Sequence, residues 1–330
     1  MYITSRIKIA VFSAVTFVSS TFFASSFLPA EPSLKTIAIT QIVDHPAANA
    51  VREGVLAALK DKGYEEGKTF TLIYENAQSS PVTASQIAQK FMSLKPDLII
   101  PITTPSTQAV AKANEGYALP VVFAAVTDPI ASGVVDSLPH PGGSITGVTD
   151  AAPIKRQIDF FKQALPHLKT LGILYNPGDN SSATPVKEAR ELAKEEGLTL
   201  IEATAFKTSD VPAAMKQLVG RGVDAVFVPL DNTVLSAMDA VLKVAFQHKI
   251  PVVSSDSDSV EQGALVSSGY THFDTGYRAG EIAAQVLEGA NPGQISVASA
   301  QSLNIYINKK SAQTLNITFP KAILEIAKEM

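Results

Sequence analysis

The chain has 330 residues, of which 46% are hydrophobic and 18% charged, and its formal net charge is −4. This length allows two substantial lobes, and the balance of residue types is that of an ordinary globular protein. A weakly negative chain offers no basic surface to neutralise a row of phosphates, so nucleic acid is not an expected partner. The absence of cysteine excludes disulfides, thiolate metal sites, cysteine nucleophiles and a lipid attached to an N-terminal cysteine.

The first thirty residues have the layout of a secretory signal peptide. Arg6 and Lys8 are followed by an apolar stretch over residues 9–28, and no further charge occurs before Glu31. We predict that residues 1–30 are removed on export, with an uncleaved membrane anchor as the alternative. Without a cysteine to carry a lipid, the exported chain is expected to be a free protein of the periplasm.

Short apolar runs alternate with helical patterns from residue 35 onward. In the first half these runs are TIAIT (36–40), FTLIY (70–74), DLIIPI (97–102) and PVVFAAV (120–126). In the second half they are TLGILYN (170–176), LTLIEAT (198–204), DAVFVPL (224–230) and PVVSS (251–255). Since the runs alternate with helical patterns, we predict mostly parallel sheets covered by helices on both faces.

A passage rich in glycine and proline, residues 137–150, separates the two sets and reads as irregular chain. We therefore predict an α/β fold of two doubly wound parallel-sheet lobes, with late segments that cross back between them. The first lobe is expected to contain residues 31–149 and about 271–299, and the second residues 150–270 and about 300–330. The tail, residues 321–330, is expected to form a terminal amphipathic helix.

The ends of the predicted strands are where a ligand is expected, because helix N-termini there offer free backbone N–H groups. In the first lobe the third run is followed by Thr103, Thr104, Pro105, Ser106 and Thr107. Thr104 suits the N-cap and Pro105 the first helical position, which leaves Ser106 in the opening turn. Capping accounts for Thr104 alone, so the other hydroxyl residues indicate a binding site.

Other strand ends of the first lobe add polar candidates. Gln41 ends the first run, and Thr127 follows the fourth run beside Asp128, which is expected to cap a helix. His45 also follows the first run, and no second histidine stands at the spacing of a metal site or a catalytic triad. We therefore expect His45 to cap a helix or line a cleft, and Gln41 and Thr127 to contact a ligand.

The second lobe has matching strand ends with polar side chains. Asn180, Ser181 and Ser182 open a helical pattern after the fifth run and would present donors at the helix N-terminus. Asp231 and Asp256 follow later runs. A carboxylate in a cleft can hold an ammonium group while helix N-termini opposite hold a carboxylate, and these are the two ends of an amino acid.

Two kinds of chemistry compete with simple binding. The sequence SSDSDS (254–259) is acidic enough for a hard cation, but it lacks the glycine and the distant glutamate of a calcium loop. No G-x-S-x-G occurs, and no serine, histidine and acid stand at the spacing of a catalytic set. We expect no metal, no cofactor and no catalytic residue, while a periplasmic hydrolase that uses the acidic cluster stays an alternative.

Seven segments, in order along the chain, carry a resemblance to one family. They are QIVDHPAANAVREGV, TTPSTQA, FAAVTDPIASGVV, SITGVTD, GILYNPGDNSS, VPLDNTVLSAMDA and GYTHFDTGYRAGEIAAQVLEG. This set resembles the substrate-binding proteins of ABC transporters, of the tryptophan-binding (TrpX-like) type. The resemblance implies a type I periplasmic-binding fold, in which two lobes joined by three crossovers close on a small ligand. It further implies an aromatic amino acid as ligand and delivery to a membrane permease driven by an ATPase.

The resemblance also implies roles for individual residues. The ligand carboxylate would lie near Thr104, Ser106 and Thr127, with Asn180, Ser181 and Ser182 reaching across from the second lobe, and Asp231 and Asp256 receiving the ammonium. Tyr175, Tyr270 and Phe273 are the aromatic residues expected near the cleft, and a branched-chain or other amino acid stays open as the ligand. We expect a monomer, and the alternative function is a sensory subunit that closes in the same way for a membrane receptor.

Overall fold

The structure is a computed structural model that describes residues 1–2, 34–300 and 304–330. The predicted signal peptide, residues 1–30, therefore lies outside the described residues apart from its first two. Among the described residues, no helix combines the length and the apolar character needed to cross a membrane.

Two sheets organise the chain, and the first has six strands. These are β1 (Lys35–Gln41), β2 (Phe70–Asn76), β3 (Leu98–Ile102), β4 (Val121–Ala124), β5 (Ile145–Thr149) and β11 (Ala298–Ser299). Their order is β11-β5-β4-β3-β1-β2, and every neighbouring pair is parallel. β3 is buried along its whole length, as expected of a strand that has helices on both faces.

The second sheet has seven strands. These are β6 (Thr170–Tyr175), β7 (Thr199–Thr204), β8 (Ala225–Val228), β9 (Val252–Ser254), β10 (Val266–Gly269), β12 (Asn304–Ile307) and β13 (Lys328–Glu329). Their order is β13-β12-β10-β9-β8-β6-β7, and only β12 runs antiparallel to its neighbour β10.

Helices connect the strands and cover the sheets. They are α1 (Pro46–Asp61), α2 (Pro81–Leu94), α3 (Thr104–Asn114), α4 (Ile154–Ala164), α5 (Asn180–Glu195), α6 (Val211–Gly220), α7 (Asn232–Leu235), α8 (Met238–His248), α9 (Asp258–Gln262), α10 (His272–Leu287), α11 (Lys309–Leu315) and α12 (Lys321–Ile326). α1 shows why they form: Pro46 suits the first turn, and Val51, Val55 and Leu59 bury one face at helical spacing.

Each sheet has an apolar core on both of its faces. In β3, Ile99 and Ile100 belong to different clusters, and in β8 Val226 and Phe227 do the same, because neighbouring side chains of a strand point to opposite faces. Burial of one such side chain stabilises the fold by about 1.5–3 kcal/mol. The predicted fold class, two doubly wound α/β lobes, is confirmed.

The chain passes between the sheets three times. β5 leads into α4, which packs on the second sheet, and β10 leads into α10, which packs on the first. The third passage lies between Ser299 of β11 and Asn304 of β12. We call the first sheet with α1, α2, α3 and α10 the first lobe, and the second sheet with its helices the second lobe. The residue boundaries given above for the lobes stay a prediction.

α10 lies directly against α1, and glycine makes this contact close. A Cβ atom on Gly276 would lie 1.9 Å from the Val51 carbonyl oxygen, and one on Gly54 would lie 2.2 Å from the Phe273 carbonyl oxygen. The two backbones therefore touch at positions where any side chain would separate the helices.

Two expectations about irregular and helical segments were wrong. The passage over residues 137–150 contains β5, which pairs with β4 and ends at the first passage between sheets. The tail over residues 321–330 is helical only to Ile326, because its last residues form β13 beside β12.

Candidate functional site

The carboxyl ends of the strands from both sheets face a common cleft. α3 of the first lobe contacts α5 of the second, so the lobes are closed on each other. Residues of both lobes line this cleft, which holds a cavity of about 40 Å³. This is the place where a ligand is expected in open parallel sheets.

The start of α3 is unusual in its backbone. The helix begins at Thr104, so Thr103 rather than Thr104 holds the N-cap position, and its side chain makes no capping bond. Thr103 has φ 69° and ψ 161°, a region that is almost restricted to glycine. Ala125, at the end of the neighbouring strand, has φ 59°. Both residues lie in the cleft wall, and strained backbone of this kind is concentrated at binding sites.

The hydroxyl groups at this strand end lack partners. Among the described residues, no hydrogen-bond partner is found for the buried oxygens of Thr103, Thr104, Ser106 and Thr127. Only Thr107 is satisfied, since its hydroxyl donates to the Thr103 carbonyl oxygen at 2.9 Å. A buried polar group without a partner costs about 1–3 kcal/mol, so these four hydroxyls make the start of α3 a candidate binding site.

Asp150 adds a carboxylate to the same wall, and the sequence reasoning missed it. It directly follows β5 on the first passage between the lobes, and its Oδ1 is buried without a partner among the described residues. Burial raises the pKa of Asp150, while the Thr127 hydroxyl and the charge of His272 act in the opposite direction. Its place at the end of a glycine- and proline-rich passage gave no sign of a strand, and therefore none of a strand end.

In the second lobe, the polar loop before α5 is held by hydrogen bonds within the loop and by hydrogen bonds to the loop before α7. Asp179 caps α5, accepting from the Ser181 N–H at 3.0 Å and the Ser181 hydroxyl at 2.6 Å. Its other oxygen accepts from the backbone N–H of Asn232 at 3.2 Å and from its side-chain amide at 2.8 Å. Ser181 lines the cleft, but its hydroxyl already has a partner.

The Asp231 carboxylate also connects the loop before α5 with the loop before α7. One oxygen accepts from the Asn176 N–H and the Ser182 hydroxyl, both at 2.6 Å, and the other from the N–H groups of Thr233 at 3.0 Å and Val234 at 2.8 Å. Burial and the neighbouring carboxylate of Asp179 raise the pKa of Asp231 to about 6, although these donors oppose the shift. The Asp231 side chain lines the cleft, but each of its two oxygens already accepts two hydrogen bonds from the protein.

Asp256 lies outside the cleft wall and is paired with His272, which lines the cleft. The imidazole Nε2 lies 2.5 Å from Asp256 Oδ1, and the other oxygen accepts from the Ser259 N–H at 2.8 Å and from the Ser259 hydroxyl. Burial opposes charge on His272, but the bond to Asp256 and its charge prevail and raise the pKa of His272 to about 9. Possible ligating atoms of Asp256, Asp258 and His272 lie within 4.8 Å of one another, and direct pairing of two of them accounts for this.

Gln41 is satisfied inside the first lobe. Its amide donates to the Val43 carbonyl at 2.7 Å and to Asn49 Oδ1 at 2.9 Å, and its oxygen accepts from Arg52 at 3.2 Å. Of the nine predicted ligand residues, the structure brings Thr127, Ser181 and Asp231 into the cleft wall. It places six outside that wall, namely Gln41, Thr104, Ser106, Asn180, Ser182 and Asp256.

Part of the cleft wall is made of small or aliphatic side chains. Val43, Ala47, Ala48 and Val51 come from the first lobe, and the second lobe contributes residues such as Leu235. None of the aromatic residues expected near the cleft lies in its wall. The Tyr175 hydroxyl donates to Glu202 at 2.8 Å, Phe273 is 43% exposed beside Tyr277, and Tyr270 is also outside the wall.

Comparison with known proteins decides the family. The family described as ABC transporter substrate binding protein matches residues 36–330. The chain belongs to the ABC transporter substrate-binding proteins. The resemblance drawn from the sequence is thus confirmed, and so is the type I periplasmic-binding fold.

Three relatives of this substrate-binding protein bear on the site. A tyrosine-binding protein of Clostridioides difficile is 38% identical over 283 residues, which cover 86% of this chain and 81% of the relative. A solved ABC domain from Streptococcus pneumonia in complex with L-Trp is 32% identical, with 90% and 99% of the two chains covered and a TM-score of 0.86. The ligand-free, open structure of an adhesive substrate-binding protein from Clostridium difficile is 34% identical, with 90% and 99% covered and a TM-score of 0.69.

This substrate-binding protein is more similar in structure to the complex with L-Trp than to the ligand-free, open structure. Identity and coverage are nearly equal for the two solved structures, while the TM-scores are 0.86 and 0.69. The closed arrangement agrees with the contact between α3 and α5.

Proposed function

We propose that this substrate-binding protein binds an amino acid between its lobes in the periplasm and delivers it to a membrane permease driven by an ATPase. The observation that carries the proposal is the set of buried polar groups without partners in the first lobe. The hydroxyls of Thr103 and Thr127 and one carboxylate oxygen of Asp150 belong to the cleft wall, and those of Thr104 and Ser106 lie just outside it in the first turn of α3. Donors and a carboxylate side by side complement the carboxylate and the ammonium of a zwitterion.

The α3 N-terminus is the proposed carboxylate site. Thr104 and Ser106 open an 11-residue helix whose first N–H groups have no intrahelical partner, and the helix dipole favours an anion there. Thr103 and Thr127 flank the helix start in the cleft wall. A ligand carboxylate would accept from these hydroxyls and so remove the cost of leaving them unpaired.

Asp150 is the proposed ammonium site, in place of Asp231 and Asp256. Those two carboxylates already accept hydrogen bonds from several protein donors, whereas Asp150 Oδ1 has none among the described residues. An ammonium beside Asp150 would form a charge-assisted hydrogen bond, which is about twice as strong as a neutral one. Such an ammonium would also keep Asp150 ionised.

The ligand side chain would contact the apolar residues of the cleft wall. Ala47 and Ala48 on α1 leave room there, and Val51 and Leu235 provide aliphatic contact. Because the similar proteins named above bind tyrosine and tryptophan, we put aromatic amino acids first.

Closure of the lobes is the proposed mechanism of selection. A ligand that contacts both lobes favours the closed form, because half of its contacts are absent when the lobes separate. The permease would recognise the closed protein, which we expect to act as a monomer made of the two lobes bounded as predicted.

Thermal unfolding in the presence of each amino acid tests the proposal. We expect the melting temperature to rise with at least one aromatic amino acid, followed by saturable binding in calorimetry without chemical change of the ligand. If no amino acid raises the melting temperature or binds, the proposal is wrong.

A matched pair of serine variants tests the site itself. Ser106→Ala and Ser132→Ala each remove one buried hydroxyl without a partner, but Ser132 lies at a different groove. We expect Ser106→Ala to weaken binding by about 5- to 10-fold, the value of one hydrogen bond, and Ser132→Ala to leave it unchanged. Equal affinities of both variants and the parent would remove the α3 N-terminus from the site.

A further inference from the structure

The second lobe also contributes polar side chains to the cleft wall, and most of their hydrogen bonds are made within the lobe. These side chains are Ser181, Asp231, Asn232 and Ser236. Ser181 donates to Asp179, both oxygens of Asp231 accept from the protein, and the Ser236 hydroxyl donates to the Asn232 carbonyl oxygen at 2.6 Å. Asn232 differs from the other three because one atom of its side chain is left over.

The amide of Asn232 is held in one orientation by the loop before α5. Its Nδ2 donates to Asp179 Oδ2 at 2.8 Å and to the Ser181 hydroxyl oxygen at 3.3 Å, and its backbone N–H donates to the same Asp179 oxygen at 3.2 Å. An ionised carboxylate can only accept, so the amide nitrogen and not the amide oxygen must face Asp179. Both hydrogens of the amide are thereby used inside the second lobe.

The remaining atom, Asn232 Oδ1, is an acceptor without a donor. No described residue donates a hydrogen bond to this oxygen. Asn232 is half-buried, it begins α7, and its side chain lines the cleft. A carbonyl oxygen offers a lone pair to a cation without adding a third carboxylate beside Asp179 and Asp231, which would repel both.

We propose that Asn232 Oδ1 is the second-lobe acceptor for the ligand ammonium, and that Asp179 is the positioning residue that orients this oxygen. The inference rests on the function proposed above, in which Asp150 binds the same ammonium. An ammonium has three N–H donors, so it can bond to Asp150 and Asn232 together, and both residues line the same small cavity.

This arrangement would make the ammonium the group that couples binding to closure. Asp150 lies on the first passage between the lobes, whereas Asn232 belongs to the second lobe. A carboxylic acid of the same shape without an amino group would leave both acceptors unpaired in the closed cleft. Such a site rejects the analogue far more strongly than it would reject a change in apolar contact.

Calorimetry with pairs of ligands that differ only in the amino group tests this assignment. L-Tyrosine is compared with desaminotyrosine, and L-tryptophan with indolepropionate. Asn232→Leu removes Oδ1 with little change in volume. Asn176→Leu is the matched control, because Asn176 is also a half-buried asparagine that joins the two loops, with Nδ2 donating to Thr233 at 2.9 Å, but it lies outside the cleft wall.

We expect Asn232→Leu to weaken binding of the amino acid by about 10-fold and to change the affinity for the analogue by less than about 2-fold, since the analogue never makes the contact. Asn176→Leu should change both affinities by the same factor. Equal losses for the amino acid and its analogue in Asn232→Leu would assign Oδ1 to the ligand side chain or to structure alone, and would overturn the proposal. So would an unchanged affinity for the amino acid.

Asp179→Asn tests the positioning role. Asparagine can still cap α5, but its amide nitrogen can take the place of the oxygen that accepts from Asn232, so that Asn232 would turn and present its N–H groups to the ligand. We expect binding of the amino acid to fall at least as far as in Asn232→Leu, with the analogue unaffected, although Asp179 lies outside the cleft wall. An equal change for both ligands would show that Asp179 has a structural role only.

A crystal structure of the parent chain with a bound amino acid gives a readout that does not depend on any variant. We expect the ligand nitrogen to lie about 2.7–3.2 Å from Asn232 Oδ1, and a separation above about 4 Å would overturn the proposal. Failure of both L-tyrosine and L-tryptophan to bind the parent would count against the proposed function. Binding with the ligand nitrogen away from Asn232 would count against this inference alone.

Discussion

The strand ends of the two lobes look alike in sequence and differ in how their polar groups are used. In the first lobe, hydroxyls such as those of Thr104 and Ser106 are buried without partners among the described residues. In the second lobe, Asp179 and Asp231 accept from the loops beside them and fix both loops. The same residue types are therefore unpaired in one lobe, where we propose that they bind the ligand, and form a structural support in the other, and only the partner of each atom distinguishes the two.

The difference is also one of free energy. Unpaired hydroxyls in the first lobe reduce the stability of the empty protein, and a ligand that accepts from them recovers this cost. The paired carboxylates of the second lobe contribute stability whether or not a ligand is present. Binding energy and folding energy should therefore respond to different substitutions.

The largest effect is expected from Asp231→Ala. This change removes the cap of α7 and the bonds to Asn176 and Ser182, so we expect the free energy of unfolding to fall by about 2–4 kcal/mol. Urea denaturation followed by circular dichroism measures this. An unchanged midpoint and slope would mean that the two loops do not depend on this carboxylate.

Asp150→Asn should weaken ligand binding without lowering the free energy of unfolding. Loss of the charge proposed to face the ligand ammonium is expected to weaken binding by about 10- to 100-fold, while stability stays the same or rises because a charge that burial disfavours is removed. Calorimetry and urea denaturation on the same sample test both halves. Parent-like affinity would return the ammonium site to Asp231 or Asp256.

The raised pKa of Asp231 should also appear in the pH dependence of the free energy of unfolding. Its pKa is about 6 in the folded protein against 3.8 in the unfolded reference, so the folded state binds the proton more readily. Stability from this group therefore increases as the pH falls from 7 to 5, by about 1.4 kcal/mol. Unfolding measured at both pH values should show this gain in the parent and not in Asp231→Ala.

The smallest effect is expected from Thr127→Val, which tests whether an unpaired hydroxyl of the first lobe contributes to binding and not to stability. The shape of the side chain is kept while an unpaired hydroxyl is removed, so we expect unchanged or slightly higher stability and binding weakened by about 1 kcal/mol. Thr146→Val is the control, because its hydroxyl donates to the Ile295 carbonyl at 2.7 Å and its loss should lower stability without affecting binding. A fall in stability for Thr127→Val would show that its hydroxyl has a structural partner.

The fold was predictable because buried parallel strands leave continuous apolar runs that alternate with helical patterns. β5 was not predicted because it lies within a stretch rich in glycine and proline. Asp150 was therefore not recognised as a residue at a strand end. The start of α3 was placed one residue late because Thr104 and Pro105 fit a standard cap, while the structure puts a strained Thr103 there. Cross-loop bonds such as that between Ser182 and Asp231 depend on three-dimensional proximity, which residue spacing does not contain.

The close contact between α1 and α10 also determines where the lobes can bend. Because glycine backbones are pressed together at Gly54 and Gly276, we expect α10 to stay with the first lobe if the lobes open and the bend at this passage to fall in the short link after Gly269. His272 is the first helical residue beyond that link, and it is bonded to Asp256 of the opposite lobe. Since the ion pair joins the lobes right beside this passage, we expect it to persist when the lobes open.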